Sequence, residues 1–408
     1  MRILWVTPNF LHPTTKGGQI RTLEMLRRLS RRHEIHYVAV EHEGEPEGPA
    51  RSSEYAAHAY PFRLRIPPRG SLAFYAQLAT GLWSPLPLAV KRFVAPEIRT
   101  FLESLLAREN FDRAVCDFLV PSAHFPRLES AVLFQHNVET LIWRRHAERA
   151  STLAHRLYFR LQARRMFDYE RRITRQCGHV VAVSEADART MREMFGVTRV
   201  SAIPTGVDVD YFRPPAESRH TADLVFLGSM DWLPNIDGML WFVNEIFPLI
   251  LRERPECTLA IVGRSPAPEI LRLARNQPNI TVSGTVPDVR PYIWGSTVSI
   301  VPLRIGGGTR LKIYETAAAG VPVVSTTIGA EGLSLSAPQE IRLADTPETF
   351  AQACLGLLAN TAERERLRDT ALNRVRDSFS WETVVDRFEE ILAEAPRFSV
   401  PFSGATRP

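Results

Sequence analysis

Residues 302–315 read Pro302-Leu303-Arg304-Ile305-Gly306-Gly307-Gly308-Thr309-Arg310-Leu311-Lys312-Ile313-Tyr314-Glu315, directly after the apolar run Val298–Val301. A strand that feeds three glycines, then a helix with Thr309, Arg310 and Lys312 in its first turn, is an anion-binding arrangement. The glycines bare backbone N–H groups, the helix start adds positive potential, and two cations complete a phosphate cradle. Glu315 stands one turn further on, where its carboxylate can accept hydrogen bonds from paired ribose hydroxyls. The chain holds only three lysines, Lys16, Lys91 and Lys312, so a lysine in this helix is not the by-product of a lysine-rich surface.

Working outward, the same alternation recurs along the chain. Strand candidates are Arg2–Thr7, Glu34–Val40, Phe111–Cys116, Ala131–Gln135, His179–Val183 and Val200–Pro204, then Leu224–Gly228, Cys257–Val262, Ile280–Gly284, Val298–Val301 and Pro322–Thr326. Helical stretches separate them; Ile20–Arg32, for example, spaces Ile20, Leu23, Leu26 and Leu29 along one face. Continuous apolar strands alternating with helices imply parallel sheets covered on both faces. The class is α/β, with two doubly wound Rossmann-like domains. The expected boundaries are an N-terminal domain over 1–204, a hinge over 205–215 where Pro-Thr-Gly-Val-Asp and Arg-Pro-Pro break both periodicities, and a C-terminal domain over 216–380. Helix 381–395 follows, then a loose tail over 396–408. In such sheets, ligands bind beyond the carboxyl ends of the strands, so chemistry is expected in the loops that follow them.

Composition narrows the classes. With 408 residues, 45% hydrophobic and 23% charged, the chain is an ordinary globular one rather than a disordered, collagen-like or coiled-coil one. The formal charge of +5 is unevenly divided: residues 1–200 hold 30 Lys+Arg against 20 Asp+Glu, and residues 201–408 hold 20 against 25. Basicity therefore belongs to the N-terminal half. Cys116, Cys177, Cys257 and Cys354 are far apart, without ligand spacing, and read as reduced core residues. The run after Met1 stops at Thr7-Pro8, too short for a secretory signal, which suggests a cytoplasmic protein. The charge-free stretch Gly70–Val90 is too polar and broken to span a bilayer; it fits either a segment docked beside lipid on the acceptor side or ordinary core, with core the preferred reading.

Two further loops attract attention. The first strand leads through Thr7-Pro8-Asn9-Phe10 to Lys16-Gly17-Gly18-Gln19, a glycine pair at a helix start that either needs positive φ or lets a ligand approach closely. There is no GxGxxG, which weighs against a dinucleotide. His136, in Phe134-Gln135-His136-Asn137-Val138-Glu139, follows an apolar strand, a place where a lone histidine is either a structural hydrogen-bond partner or a functional one.

The 302–324 segment, with Ile203-Pro204-Thr205-Gly206-Val207-Asp208 and Val262-Gly263, resembles glycosyltransferase family 4, in particular members associated with bacterial envelope or exopolysaccharide assembly. The resemblance extends over nearly the whole chain. It implies a GT-B fold, a sugar nucleotide held by the C-terminal domain, an acceptor on the N-terminal domain, and a last helix that crosses back onto the first domain. It implies that Glu315 is the ribose ligand and that His136 contacts the donor sugar near its reacting carbon, with retained anomeric configuration and no protein nucleophile. The family's further Glu, eight positions before Glu315, is Gly307 here, so backbone N–H groups of Gly307, Gly308 and Thr309 are expected to take its place. The Arg and Lys that many members carry after the strand ending at Gly228 are also missing, which leaves Arg310 and Lys312 for the diphosphate. Gly17 and Gly18 are expected to adjoin the donor, Gly228 its phosphates, and Gly263, Arg264 and Val286 the base.

Asp208-Val209-Asp210 mimics a DxD metal grip but lies in the hinge signature, so no metal and no cofactor are expected. Between Arg144 and Arg175 ten arginines face Glu148, Asp168 and Glu170, a basic amphipathic pattern that fits either a solvated face or an anionic membrane surface. The expected partners are a nucleotide-sugar donor, a glycan or lipid-linked acceptor and a peripheral contact with the anionic inner membrane, with no nucleic acid. The alternatives are a GT-B epimerase or hydrolase on the same donors, and a basic nucleic-acid-binding protein. Against the last, the basic half lacks aromatic stacking platforms.

Overall fold

The computed structural model describes residues 1–14, 17–41, 47–64, 67, 70–150, 152–305 and 311–398. The chain divides into two compact units, one of Met1–Pro204 together with the chain from Val385 onward, the other of Thr205–Val384. The first unit is built on strands β1 (Arg2–Thr7), β2 (Glu34–Glu41), β3 (His58–Arg63), β4 (Arg113–Asp117), β5 (Ala131–Gln135), β6 (His179–Ala182) and β7 (Val200–Ala202). They form one sheet in the order β3-β2-β1-β4-β5-β6-β7, with every described pairing parallel. The second unit carries β8 (Ala222–Leu227), β9 (Leu259–Val262), β10 (Ile280–Gly284), β11 (Ser296–Val301), β12 (Val323–Ser325) and β13 (Arg342–Leu343), in the order β10-β9-β8-β11-β12-β13, again parallel. In each sheet the strand order reverses once, between β1 and β4 and between β8 and β11. These are the switch points at which doubly wound folds place ligands.

Strand burial follows the apolar runs: β4 and β5 are buried at every residue, and β1 at all but its first. Two of the thirteen strands among the described residues, β3 and β13, go beyond the apolar-run expectation. β3 is an edge strand of His, Tyr, Pro and Arg, half-exposed along its length, and an edge tolerates Pro61, which has no N–H to give a ladder. β13 is two residues long. The first helix begins at Gly17 rather than Ile20, so both glycines lie in its first turn.

Gly70–Val90 departs from the core expectation. Its first part is a helix, Leu72–Gly81, capped by Ser71, and Leu72, Tyr75, Leu82 and Trp83 are exposed, whereas Leu88 and Val90 are buried. The backbone is held by Arg165, whose guanidinium donates to the Gly81 and Leu82 carbonyls at 2.7 and 2.6 Å. Absence of charge is thus no evidence of burial here.

The ten-arginine stretch spans two helices, Glu139–Arg149 and Leu153–Gln176. All four cysteines are buried free thiols. No described helix is long and apolar enough to cross a membrane.

Helix Trp381–Glu394 begins in the second unit and ends in the first. Within the first unit its Phe388 packs on Trp5 and Phe134, with ring centroids 5.7 and 5.3 Å apart. Arg32 pairs with Asp386 and Glu389 at 2.6 and 2.7 Å, and Arg113 donates to the Leu392 and Ala393 carbonyls. Phe388 is fully buried. Phe388→Ala should therefore cost about 3–5 kcal/mol through transfer and cavity terms. Urea unfolding followed by tryptophan fluorescence checks this; a loss below about 1 kcal/mol would show that the helix is not anchored by this contact.

Candidate active site

In the first unit, chemistry gathers at the switch point. Asp117 is the last residue of β4 and is completely buried. Its carboxylate accepts hydrogen bonds from Trp5 Nε1 at 3.1 Å, Thr22 Oγ1 at 2.8 Å and His136 Nε2 at 2.7 Å, which ties together β1, the first helix and the loop after β5. A carboxylate only accepts, so Nε2 of neutral His136 carries the proton and Nδ1 is left as an acceptor. Burial holds the imidazole below its ordinary value of 6.5; attraction to Asp117 opposes this in part, and Arg21 adds to the lowering.

Phe118 stacks on His136 with centroids 3.9 Å apart and rings 12° from parallel. Its φ of 70° is a left-handed conformation that costs a non-glycine residue of order 1–3 kcal/mol and clusters at functional sites. Gly18 is required by the same packing. A Cβ there would lie 2.7 Å from Phe118 Cζ and 3.6 Å from His136 Nδ1. Neither Gly17 nor Gly18 has positive φ, so the turn reading of the pair does not hold; at Gly18 it is the Phe118 ring that leaves no room for a side chain.

Two further buried groups brace this corner. Arg21 lies over the Phe134 ring, 4.5 Å from its centroid, and donates to the Ile203 carbonyl; burial pushes its guanidinium down to about 9. Glu170, from helix Leu153–Gln176, accepts from Glu139 N at 2.9 Å, Thr140 N at 2.8 Å and Thr140 Oγ1 at 2.5 Å, and from the Gln135 amide. It thereby pins both sides of the turn that carries His136.

In the second unit the loops after β8 and β9 interlock. Gly228 N donates to the Val262 carbonyl at 3.0 Å, and a Cβ on Gly263 would fall 1.8 Å from the Gly228 carbonyl oxygen, which no side chain permits. A Cβ on Gly228 would meet Asn235 Nδ2 at 2.6 Å and Lys312 Nζ at 2.9 Å. The Lys312 ammonium therefore sits against bare backbone. It donates to Asn235 Oδ1 at 3.3 Å and lies 4.4 Å from the Phe226 ring centroid. Asn235 is buried and fixed by its own bond to the Ser229 carbonyl at 2.8 Å, while Arg264 Nε reaches Ser229 Oγ at 2.8 Å.

Glu315 lies on the same helix as Lys312, Leu311–Ala318. Burial raises its carboxyl above the usual range, and Lys312 partly offsets this. Val286 packs with the cluster that contains Leu227, Val262 and Tyr314. Gly307, Gly308, Thr309 and Arg310 lie outside the described residues.

The structure thus brings Gly228, Gly263, Arg264 and Lys312 together, and separately Gly18 and His136, with Gly17 in the same first turn. Asp117, Phe118, Glu170 and Asn235 escaped the sequence reading. Only Asn235, two residues into a helix after the β8 loop, had a local cue. The DxD pair is engaged by its own chain: Asp208 accepts from Tyr211 N at 2.9 Å, and Asp210 pairs with Arg213 at 2.5 Å.

The sequence model for Glycosyltransferase Family 4 matches residues 15–211, and that for Glycosyl transferases group 1 matches residues 221–360. A Klebsiella pneumoniae relative named "Uncharacterized 44.6 kDa protein in cps region" is 20% identical over 391 residues, 93% of this chain and 96% of that protein. Among solved structures, sucrose-phosphate synthase from Thermosynechococcus elongatus matches with a TM-score of 0.64 at 15% identity, over 96% of this chain and 98% of that one. Anabaena HepE in complex with UDP-glucose gives 0.62 at 12% identity, over 97% and 100%. WaaG, a glycosyltransferase of lipopolysaccharide biosynthesis, gives 0.61 at 14% identity, over 96% and 99%. At these identities the likeness is one of fold.

The His136 environment fixes a sign. Because the fold favours the neutral imidazole, the stability it contributes is complete above pH 6.5 and is lost as pH falls below that value. Nitrogen-detected NMR should show His136 titrating below 6.5 and Asp117→Asn moving it lower still, since the attraction to the carboxylate is removed. Titration at or above 6.5 in the wild type would contradict the assignment.

Proposed function

The chain belongs to glycosyltransferase family 4, and from that premise we propose that it moves a hexose from a nucleotide-sugar donor to a glycan or lipid-linked acceptor in envelope or exopolysaccharide synthesis, with retained anomeric configuration. The observation that carries the donor assignment is the Lys312 ammonium held by Asn235 against the bare backbone of Gly228. A fixed cation beside two glycine-only loop ends suits a diphosphate, which is large, dianionic and able to approach the backbone closely. In this reading Lys312 and Arg310 take the diphosphate, Gly307, Gly308 and Thr309 offer backbone N–H groups, Glu315 accepts from the ribose hydroxyls, and Gly263, Arg264 and Val286 border the base.

His136 serves the reacting centre. Its Nδ1 acceptor is aimed by the Nε2 bond to Asp117 and by stacking on Phe118, so it can receive a sugar hydroxyl in a fixed direction without reorganising. Orientation of the donor and stabilisation of the departing diphosphate supply the catalysis, with no covalent intermediate. No metal is required in this reading: the carboxylates that mimic a metal grip are committed to Tyr211 N and Arg213. UDP-glucose, bound by Anabaena HepE, is the first donor to try.

A thermal-shift panel of UDP-, GDP- and ADP-sugars should reveal one donor class that raises the melting midpoint of the wild type. Lys312→Ala should weaken that donor roughly 10- to 100-fold, the range expected for losing a charged hydrogen bond. His136→Ala should lower kcat far more than it raises KM. Equal donor shifts in wild type and Lys312→Ala would remove the phosphate role.

A further inference from the structure

Glu34 opens β2, His36 stands two residues on, and His58 opens β3. Side chains two apart on a strand share one face of the sheet, and the parallel ladder sets His36 beside His58. The three therefore meet at one corner of the first sheet. One ligand atom from each lies within 4.8 Å of the other two, and no other group of three His, Cys, Asp or Glu does so among the described residues. Glu34 Oε1 is 2.9 Å from His36 Nε2 and 3.7 Å from His58 Nε2, and the two imidazole centroids are 4.4 Å apart. In sequence these are only an E-x-H and a distant histidine; the ladder assembles them.

The contacts around His36 favour a different cation from the one beside it. Arg2 Nη2 lies 3.2 Å from His36 Nε2, and Arg2 Nε lies 3.1 Å from Glu34 Oε1. A guanidinium only donates and a carboxylate only accepts. If Nε2 carries a proton, it suits Glu34 and confronts Arg2; if it is bare, it suits Arg2 and confronts Glu34. One contact is mismatched in every protonation state. A metal ion in place of the guanidinium removes the conflict, because the bare Nε2 and the carboxylate then point at one positive centre. The proton then belongs on Nδ1, where Tyr60 Oη stands 3.1 Å away to accept it. Such an outer-sphere bond is what orients a metal-bound histidine. The His36 ring is buried and packed edge-on against Phe111, with centroids 4.8 Å apart. Arg2 is half-exposed and can release the site while keeping Glu109 Oε2 at 2.7 Å and the Asn110 carbonyl at 3.2 Å.

The donor set selects the ion. Two imidazoles and a carboxylate suit Zn²⁺ and its transition-metal neighbours, whereas Mg²⁺ and Ca²⁺ take oxygen ligands. Tetrahedral zinc holds its ligand atoms about 3.3 Å apart. His36 and Glu34 are already close to that spacing, and the half-exposed His58 has only a short gap to close. We propose that Glu34, His36 and His58 bind one divalent transition-metal ion, and that the ion clamps edge strand β3 onto β2. The site lies at the amino ends of the strands, whereas Asp117 ends β4 and His136 follows β5. The ion is therefore structural, and the proposal does not depend on the donor chemistry.

The test is calorimetric titration of the tag-free full chain, stripped of metal by a chelator, with Zn²⁺ and separately with Mg²⁺. The wild type should take up one Zn²⁺ per chain and prefer it to Mg²⁺. His58→Ala, which leaves the core untouched, should weaken Zn²⁺ roughly 100-fold or more, and Tyr60→Phe roughly tenfold, since outer-sphere partners are worth 10- to 100-fold in metal affinity. Arg2→Gln, with no guanidinium to displace, should bind Zn²⁺ tighter than the wild type. Zn²⁺ at about 100 times its Kd should raise the melting midpoint of the first unit by about 5–10 °C in the wild type, and not in His58→Ala at the same concentration. Absence of Zn²⁺ uptake, preference for Mg²⁺, wild-type affinity in His58→Ala or Tyr60→Phe, weaker binding by Arg2→Gln, or uptake without a rise in the melting midpoint would each overturn the proposal.

Discussion

A strand buried on both faces has nowhere to place chemistry except at its ends. β4 and β5 are buried at every residue, and β9 and β12 likewise in the second sheet. Both faces of these sheets are committed to packing, and parallel pairing sends every connection back across them. The consequence appears in each unit. Asp117 closes β4, His136 follows the last residue of β5, Gly228 follows β8, and Gly263 follows β9. The reactive groups are therefore collected by topology rather than by proximity in sequence.

The two strand-end sites use that geometry in opposite ways. In the first unit a buried carboxylate is fully satisfied by three donors, and the groups around it are buried and mutually oriented. The result is a histidine whose tautomer, direction and neutral state are set before any ligand arrives, at the expense of one left-handed phenylalanine. In the second unit side chains are removed rather than added. Gly228 and Gly263 bring bare backbone together, and a cation is fastened beside it by Asn235. The first arrangement directs a neutral acceptor; the second offers room and positive charge.

The apolar strands and their parallel pairing were legible because each is a local signal: a run of Val, Ile and Leu, and a helix period between runs. β3 was not, because in His58-Ala59-Tyr60-Pro61-Phe62-Arg63 a proline interrupts a short run between polar ends. Asp117 was not, because its partners Trp5, Thr22 and His136 are separated from it by 112, 95 and 19 positions. Glu170 was hidden in an arginine-rich helix, 30 or more positions from the turn it pins. Gly18 was noticed as a turn or a ligand approach, whereas the fold requires it for the Phe118 ring beside it. For Gly70–Val90 the preferred core reading holds at Leu88 and Val90 but not at Leu72 and Trp83, because apolar sequence specifies what a residue avoids, not what covers it.

The most direct measurement of the central claim is a crystal structure with the nucleotide-sugar that the chain turns over. The account predicts diphosphate oxygens within hydrogen-bond distance of Lys312 Nζ and against the backbone at Gly228 and Gly263. A diphosphate bound elsewhere, out of reach of Lys312 Nζ, would contradict it.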